Sequence, residues 1–378
     1  MAAAAAKQCA SKASKFLEVP EALQASVAAS RAEYRQLGTS GLRVSNPIFG
    51  GLQVGSSSWF PWVLDEDKAK PLLKAAYDRG INTWDTANIY SNGLSEKVMG
   101  KTLKEYNIPR RKVVLMTKCY RVVCDEENYD PGSGIAMLGD YAERSKDYVN
   151  AWGLSRGAIF NAVEASLERL GTTYIDLLQI HRFDDKVPPE ETMQALHDLV
   201  KMGKVRYLGA SSMWTYQFAI LQHAADKYGL TKFVSMQNHY NLLYREEERE
   251  MVKFCNQSGV GMVPWAPLAS GQLARPLSRN GSTLRSTVNK NGAFYYDEED
   301  SDSKVIISRV QEIAKRRGWP MSHVALAWLN RRVTSPIIGF SSVERIDEAL
   351  AARGKLLTPE EEAYLEKPYR PKSIQGHW

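Results

Sequence analysis

Residues 175–211 read IDLLQIHRFDDKVPPEETMQALHDLVKMGKVRYLGAS and contain the pattern that decides the fold. Two apolar runs, 175–181 and 204–211, flank a segment, 190–202, in which apolar residues recur at helical spacing. A strand, a helix and a second strand in this order are typical of a parallel sheet whose strands are connected by helices. The stretch therefore predicts an α/β fold.

The same alternation extends over most of the chain. Six further apolar runs predict strands, at 48–54, 81–85, 112–118, 233–238, 260–265 and 335–339. Helical patterns lie between or after them, at 66–79, 94–105, 156–170, 214–228, 245–258, 304–317 and 342–352. Eight strands that alternate with helices close into a (β/α)8 TIM barrel. We therefore expect this barrel.

Around the barrel, the sequence predicts five additional segments. Residues 1–33 are rich in Ala, Ser and Lys and are expected to form a disordered or peripheral N-terminal extension, with an organellar transit peptide as the alternative. Residues 34–378 are then a single barrel domain, which opens with a β-hairpin at 34–44 and ends with a C-terminal tail. The loops after the third and seventh strands, 119–155 and 266–303, are too long for simple turns, so we expect them to serve function.

Composition excludes several classes of function. The net charge of +6 over 378 residues is not concentrated in basic blocks, which argues against a nucleic-acid partner. The four cysteines form neither a disulfide framework nor a zinc site, so we expect a reducing, cytoplasmic location and no metal. No apolar stretch approaches the roughly 20 residues needed to span a bilayer, so no membrane partner is expected.

Four polar residues at strand ends carry the predicted chemistry: Asp85, Tyr90, Lys118 and His181. The carboxyl ends of barrel strands converge on one face, where barrel enzymes bind their substrates. A lysine beside a tyrosine favours the phenolate and thus makes proton donation feasible, and a carboxylate can anchor that lysine. A neutral histidine can orient a substrate oxygen. We therefore predict a catalytic tetrad in which Tyr90 is the proton donor.

The chain resembles the aldo-keto reductase superfamily from Tyr34 to about Leu350, and most closely its fungal branch of aryl-alcohol dehydrogenases and versiconal hemiacetal acetate reductase. The resemblance is carried by LGTSGLRVS at 37–45, DTANIY at 85–90 with Ser95-Glu96 after it, Thr117-Lys118, DLLQIHR at 176–182, GASS at 209–212, Gln237-Asn238 and WAPL at 265–268. It implies a barrel that binds NADP(H) across its carboxyl-terminal face, with the same tetrad as the catalytic residues.

The resemblance also implies a set of cofactor-binding residues. They are Gly51 and Leu52; Asp85; Ser211, Ser212 and Gln237 at the nicotinamide carboxamide; Trp265 stacked on the nicotinamide ring; Ala266, Pro267, Leu268, Ser270, Gln272, Arg275 and Arg285 along the pyrophosphate; and Gly339, Ser341, Arg345 and Glu348 at the adenosine 2′-phosphate and adenine. An arginine suits the last position because its planar fork pairs with a phosphate. Ser212 and Ala349 stand where many members have Asn, and Gly339 where some have Lys, so the preference for NADP over NAD depends on Arg345 and Ser341.

These observations predict an NADP-dependent carbonyl reductase or alcohol dehydrogenase that reduces an aromatic or planar aldehyde or ketone. Trp59, Phe60, Trp62, Tyr120 and Trp152 are candidates for the substrate pocket. We expect a monomer or weak homo-oligomer with a small-molecule carbonyl substrate. Two alternatives stay open: a cofactor-binding regulatory subunit that resembles potassium-channel β subunits, which would form a stable assembly, and a metal-independent lyase or isomerase on the same fold.

Overall fold

A computed structural model describes residues 19–125, 139–279, 283–288 and 300–377. The first 18 residues of the predicted extension and parts of both predicted long loops lie outside the described residues. The strands run, in chain order, β1 Glu33–Gln36, β2 Arg43–Asn46, β3 Ile48–Gly50, β4 Val54–Gly55, β5 Leu64–Asp65, β6 Thr83–Asp85, β7 Val114–Cys119, β8 Ile175–Ile180, β9 Val205–Ser211, β10 Phe233–Gln237, β11 Gly261–Met262 and β12 Ile337–Ile338.

The described helices surround the sheet. They are α1 Glu21–Ala29, α2 Glu66–Asp78, α3 Leu94–Glu105, α4 Gly139–Ala142, α5 Arg156–Leu170, α6 Pro189–Lys201, α7 Thr215–Tyr228, α8 Met251–Ser258, α9 Leu284–Val288, α10 Ser301–Arg317, α11 Met321–Asn330, α12 Val343–Leu350 and α13 Pro359–Glu366. Helix α5 is capped at both ends. The hydroxyl of Ser155 accepts from the Ala158 N–H at the start of α5, and Gly171 adopts a left-handed conformation after its end.

The eight predicted barrel strands form one parallel sheet in the described structure, in the order β11-β10-β9-β8-β7-β6-β3-β12. Three backbone hydrogen bonds join the segments around its outer strands: Ile337 N–H donates to the carbonyl of Pro264 (3.0 Å), and the N–H groups of Thr334 and Ser335 donate to that of Met262 (2.9 and 3.4 Å). We call the stretch where 262–264 faces 334–337 the seam. The seam closes the sheet into a ring, which confirms the (β/α)8 barrel.

The predicted hairpin is β1 paired antiparallel with β2. It packs against one end of the barrel, where Leu37 and Val44 are buried with Met116, Leu177 and Val263 from three barrel strands. The turn passes so close to β11 that a Cβ on Gly38 would lie 2.3 Å from the carbonyl oxygen of Gly259. Gly38 also has a positive φ of +57°, so glycine is required here for two separate reasons.

The structure adds three local details to the sequence predictions. Residues 321–330 form a helix that the sequence pattern does not indicate, because nearly every side chain of α11 is buried and no polar face marks its period. Residues 21–29, within the predicted extension, form an exposed helix. Asp65 does precede α2, but its carboxylate accepts hydrogen bonds from Ser57 rather than capping the helix.

Candidate active site

The four predicted catalytic residues meet at the carboxyl-terminal ends of neighbouring strands. Asp85 is the last residue of β6, Lys118 is the penultimate residue of β7, and His181 directly follows β8. Tyr90 begins a short 3-10 helix, Tyr90–Gly93, after the β6 strand. Because β6, β7 and β8 are adjacent in the sheet, these ends converge on one place.

The ammonium group of Lys118 is the centre of this arrangement. Its Nζ donates to Oδ2 of Asp85 at 2.7 Å and to the carbonyl oxygen of Thr86 at 2.8 Å. It also lies 3.4 Å from the hydroxyl oxygen of Tyr90. The Lys118 and Asp85 side chains are 0% and 3% exposed, so the ion pair is desolvated and its position is fixed.

Two glutamines support the other oxygen of the Asp85 carboxylate. Gln179 and Gln237 donate their Nε2 groups to Oδ1 of Asp85 at 2.9 and 3.0 Å, and Gln237 also donates to Oε1 of Gln179 at 2.8 Å. Gln179 is absent from the predicted site. Its signal in the sequence is a polar residue inside the apolar run of β8, and such a residue needs a buried partner. Gln237, expected at the nicotinamide, therefore also supports Asp85.

Burial raises the pKa of the Tyr90 phenol above its ordinary value, although the positive charge of Lys118 opposes this effect. Lys118 does lower this pKa, through its charge and its hydrogen bond, but burial has the larger effect. Lys118 is already neutralised by Asp85, so its attraction for a phenolate does not offset the loss of solvent. The phenol is held in its protonated form, as a proton donor requires.

The His181 imidazole is neutral. Burial lowers its pKa well below 6.5, and the nearby charges of Arg182, Lys118 and Arg121 lower it further. Its ring lies edge-on to that of Tyr90, with 6.0 Å between the centroids. A neutral imidazole beside a phenol can donate one hydrogen bond to a substrate oxygen that the phenol also contacts.

These groups open into a cleft of about 700 Å³, a volume typical of small-molecule and cofactor sites. Its wall includes Tyr90, His181 and most of the residues expected to bind the cofactor: Leu52, Asp85, Ser211, Gln237, Trp265, Ala266, Pro267, Leu268, Ser270, Arg275, Arg285, Gly339, Ser341, Arg345 and Glu348. The cleft thus runs from the tetrad to the segments that follow β11 and β12.

Three residues expected to bind the cofactor do not line this cleft: Gly51, Ser212 and Gln272. Gly51 is packed behind it, where a Cβ would lie 2.7 Å from the carbonyl oxygen of Asp85. The Ser212 hydroxyl instead accepts a hydrogen bond at 3.1 Å from the indole N–H of Trp265. Ser212 therefore orients the indole, which also stacks on His239 with 4.1 Å between ring centroids.

At the far end of the cleft, the side chains suit an anionic ligand. Burial lowers the pKa of Arg275, and the positive charge of Arg345 lowers it further, so two guanidinium groups lie close together. Helix α12 begins at Val343, two residues before Arg345, and the positive end of its dipole favours an anion there. These features fit the phosphates of a dinucleotide.

Aromatic residues cover the cleft beside Tyr90. Trp59, Phe60 and Trp62 line it, and the Trp59 ring stacks on Tyr90 with 6.4 Å between centroids. Tyr120 and Trp152, also proposed for this pocket, are not in its wall and pack on each other at 5.1 Å. Residues 59–62 therefore form the aromatic wall of the cleft.

Within the described ranges, no group of three or more His, Cys, Asp or Glu side chains is placed to hold a metal ion. In the same residues, no helix combines the length and the apolar character that crossing a bilayer requires.

Comparison with known proteins gives a consistent result. Residues 48–370 match the model of the aldo/keto reductase family. An aldo-keto reductase of Fusarium vanettenii is 67% identical over 96% of this chain and 98% of its own length. The versiconal hemiacetal acetate reductase of Aspergillus parasiticus is 50% identical over 90% and 98%, and a putative aryl-alcohol dehydrogenase of Saccharomyces cerevisiae is 44% identical over 89% and 97%.

Proposed function

The chain belongs to the aldo/keto reductase family, and from this premise we propose that it is an NADP(H)-dependent oxidoreductase that reduces an aldehyde or ketone to the alcohol. The names of its relatives, reductase and alcohol dehydrogenase, support an oxidoreductase acting on a carbonyl and alcohol pair. The observation that carries the proposal is the contact between the protonated Tyr90 phenol and the buried Lys118–Asp85 ion pair at one end of the cleft.

Each member of the tetrad has a role in this proposal. A nicotinamide cofactor, when bound, supplies the chemistry of hydride transfer to the carbonyl carbon. Tyr90 donates its proton to the carbonyl oxygen as negative charge develops there. Lys118 stabilises the resulting phenolate, and Asp85 holds Lys118 in place. His181, neutral throughout, donates a hydrogen bond that orients the oxygen.

The other end of the cleft accounts for cofactor choice. Arg275 and Arg345 would hold phosphate groups, with Ser341 and the start of α12 as additional donors. A 2′-phosphate needs such charge-assisted partners, whereas a ribose hydroxyl does not. This supports NADP(H) over NAD(H). The indole of Trp265, fixed by Ser212 and His239, would offer an aromatic surface to the nicotinamide.

The test is the loss of NADPH absorbance with a panel of aromatic and aliphatic aldehydes, measured for the wild type and for Tyr90→Phe. We expect turnover with NADPH that Tyr90→Phe reduces by about 100-fold or more, while NADPH still quenches tryptophan fluorescence in both proteins. Wild-type turnover in Tyr90→Phe would refute the role of Tyr90. The absence of turnover in the wild type, with NADPH bound, would favour a cofactor-binding regulatory role.

A further inference from the structure

Arg182 directly follows His181 and lies in the wall of the cleft beside Tyr90. One of its terminal nitrogens donates to the carbonyl oxygen of His181 at 2.5 Å. Its Nε is shielded from solvent and has no hydrogen-bond partner in the described structure. Part of the donor capacity of this guanidinium group is therefore unused at the reacting end of the cleft.

No carboxylate neutralises Arg182 among the residues that the structure describes. The acidic residues in the cleft wall there are Asp65, Asp85 and Glu348. Each is already engaged, by Ser57, Lys118 and Arg345 respectively. The charge that acts most strongly on the pKa of Arg182 is instead that of another cation, Arg121, which also lines the cleft.

The charge of Arg182 is costly for the protein alone. Burial lowers its pKa to about 10, and Arg121 contributes to this shift, yet the group remains protonated at neutral pH. Burial also lowers the pKa of Arg121. A buried cation that no carboxylate of the described residues neutralises is destabilising unless an anion joins it. Such an arrangement in a cleft indicates a binding function.

We propose that the carbonyl substrate carries a carboxylate group, which Arg182 binds together with Arg121 while Tyr90 and His181 face the carbonyl. This inference rests on the proposed function and specifies its substrate class. The fork of an arginine pairs with both oxygens of a carboxylate, which fixes the orientation as well as the position of the molecule. The Trp59 ring above Tyr90 favours a flat acid, such as an aromatic aldehyde with a ring carboxylate.

The carboxylate is unchanged in the reaction. The carbonyl carbon gains a hydride, the carbonyl oxygen gains the phenol proton of Tyr90, and the carbon–oxygen double bond becomes a single bond. Arg182 would act on binding and orientation. A different role, in which Arg182 only tunes Tyr90 and His181 through its charge, would affect charged and neutral substrates equally.

The test compares para-carboxybenzaldehyde with its methyl ester, which has the same ring and aldehyde but no charge. For the wild type, we expect kcat/KM to be about tenfold or more higher for the acid. Arg182→Met should bring the ratio close to one while retaining turnover of the ester, and Arg182→Lys should keep part of the preference. Arg111→Met, at an exposed arginine outside the cleft, should leave the ratio unchanged.

Binding provides a readout that needs no turnover. Benzoate should quench tryptophan fluorescence at concentrations about tenfold lower than benzamide in the wild type, and Arg182→Met should remove this difference. If neither aldehyde is reduced but benzoate is still preferred, the proposed function fails and the anion site stands. If the ester is reduced and neither preference appears, or if Arg182→Met slows both aldehydes equally, the anion site is refuted.

Discussion

Asp85 and Lys118 form an ion pair with 2.7 Å between Oδ2 and Nζ, and almost none of either side chain is exposed to solvent. A desolvated pair of this kind is strongly coupled, because removing one partner leaves the other as an uncompensated buried charge. Here the same pair sets the position of the charge next to the Tyr90 hydroxyl. Stability and the proposed catalysis therefore depend on one contact.

Replacement of Asp85 by Asn should lower the free energy of unfolding by about 3–5 kcal/mol, because Lys118 stays buried without a counter-charge. Lys118→Met should cost a similar amount. The double variant should cost clearly less than the sum of the two, as urea or guanidinium unfolding would show. Additive losses would mean that the two groups do not stabilise each other.

Glu247 should make the protein less stable as the pH rises. The Glu247 carboxylate accepts a hydrogen bond from the side-chain amide of Asn238 at 2.6 Å. Burial raises the pKa of Glu247 from 4.5 to about 7. A raised pKa means that the folded state binds the proton more tightly than the unfolded state, so this contribution is complete below pH 4.5 and lost as the pH rises through about 7. The difference corresponds to about 3 kcal/mol.

Glu247→Gln should therefore be more stable than the wild type by an amount that grows between about pH 5 and about pH 8. The neighbouring Glu246 provides the matched control. Burial opposes its ionisation, but hydrogen bonds from Tyr369, Arg249 and Lys372 hold its pKa below 4.5. Glu246→Gln should consequently be less stable than the wild type near neutral pH. A pH-independent difference for Glu247→Gln would contradict the assignment.

Arg345 should determine how well the protein separates NADPH from NADH. Loss of a charge-assisted phosphate contact in Arg345→Leu should weaken NADPH binding by about 10-fold or more and NADH binding by less than about threefold. Arg353→Leu, just past the end of α12, serves as the control. Fluorescence titration with both nucleotides measures the effect. Equal weakening of the two would show that Arg345 does not face the 2′-phosphate.

Gly38→Ala should disrupt the hairpin at the end of the barrel. The added Cβ would meet the Gly259 carbonyl oxygen at 2.3 Å and also require a positive φ, so we expect a loss of about 3 kcal/mol or more. Gly171 has a similar φ of +60° but nothing within 4 Å of a new Cβ. Gly171→Ala should cost only about 1 kcal/mol. Similar losses at both positions would exclude the steric contribution.

The sequence predicts the barrel well because its strands are short apolar runs between helices with a clear polar face. The same pattern does not predict helix α11, because this helix is buried on all sides and has no polar face. The strands β11 and β12 are two residues long, shorter than the apolar runs that predict them.

At the site, sequence reasoning places Asp85, Tyr90, Lys118 and His181 together, because the carboxyl ends of parallel strands must converge. Their roles stay predictions. The contacts of Gln179 and Gln237 with Asp85 depend on distances across three strands, which no local pattern contains. The pKa of Tyr90 depends on how far burial, which raises it, outweighs the charge of Lys118, which lowers it. The sequence alone does not give the extent of this burial.

The barrel should open more easily at the seam than between its other strands. Strands β11 and β12 contribute few ladder hydrogen bonds there, so the amide groups of Met262, Val263, Thr334, Ser335 and Ile337 should exchange with solvent deuterium sooner than those of β8 and β9. Arg275 lies beyond one side of the seam and Arg345 beyond the other. An anion bound by both arginines would connect the two sides of the seam. Ligand binding in the cleft should therefore slow hydrogen exchange along the seam and stabilise the closed barrel.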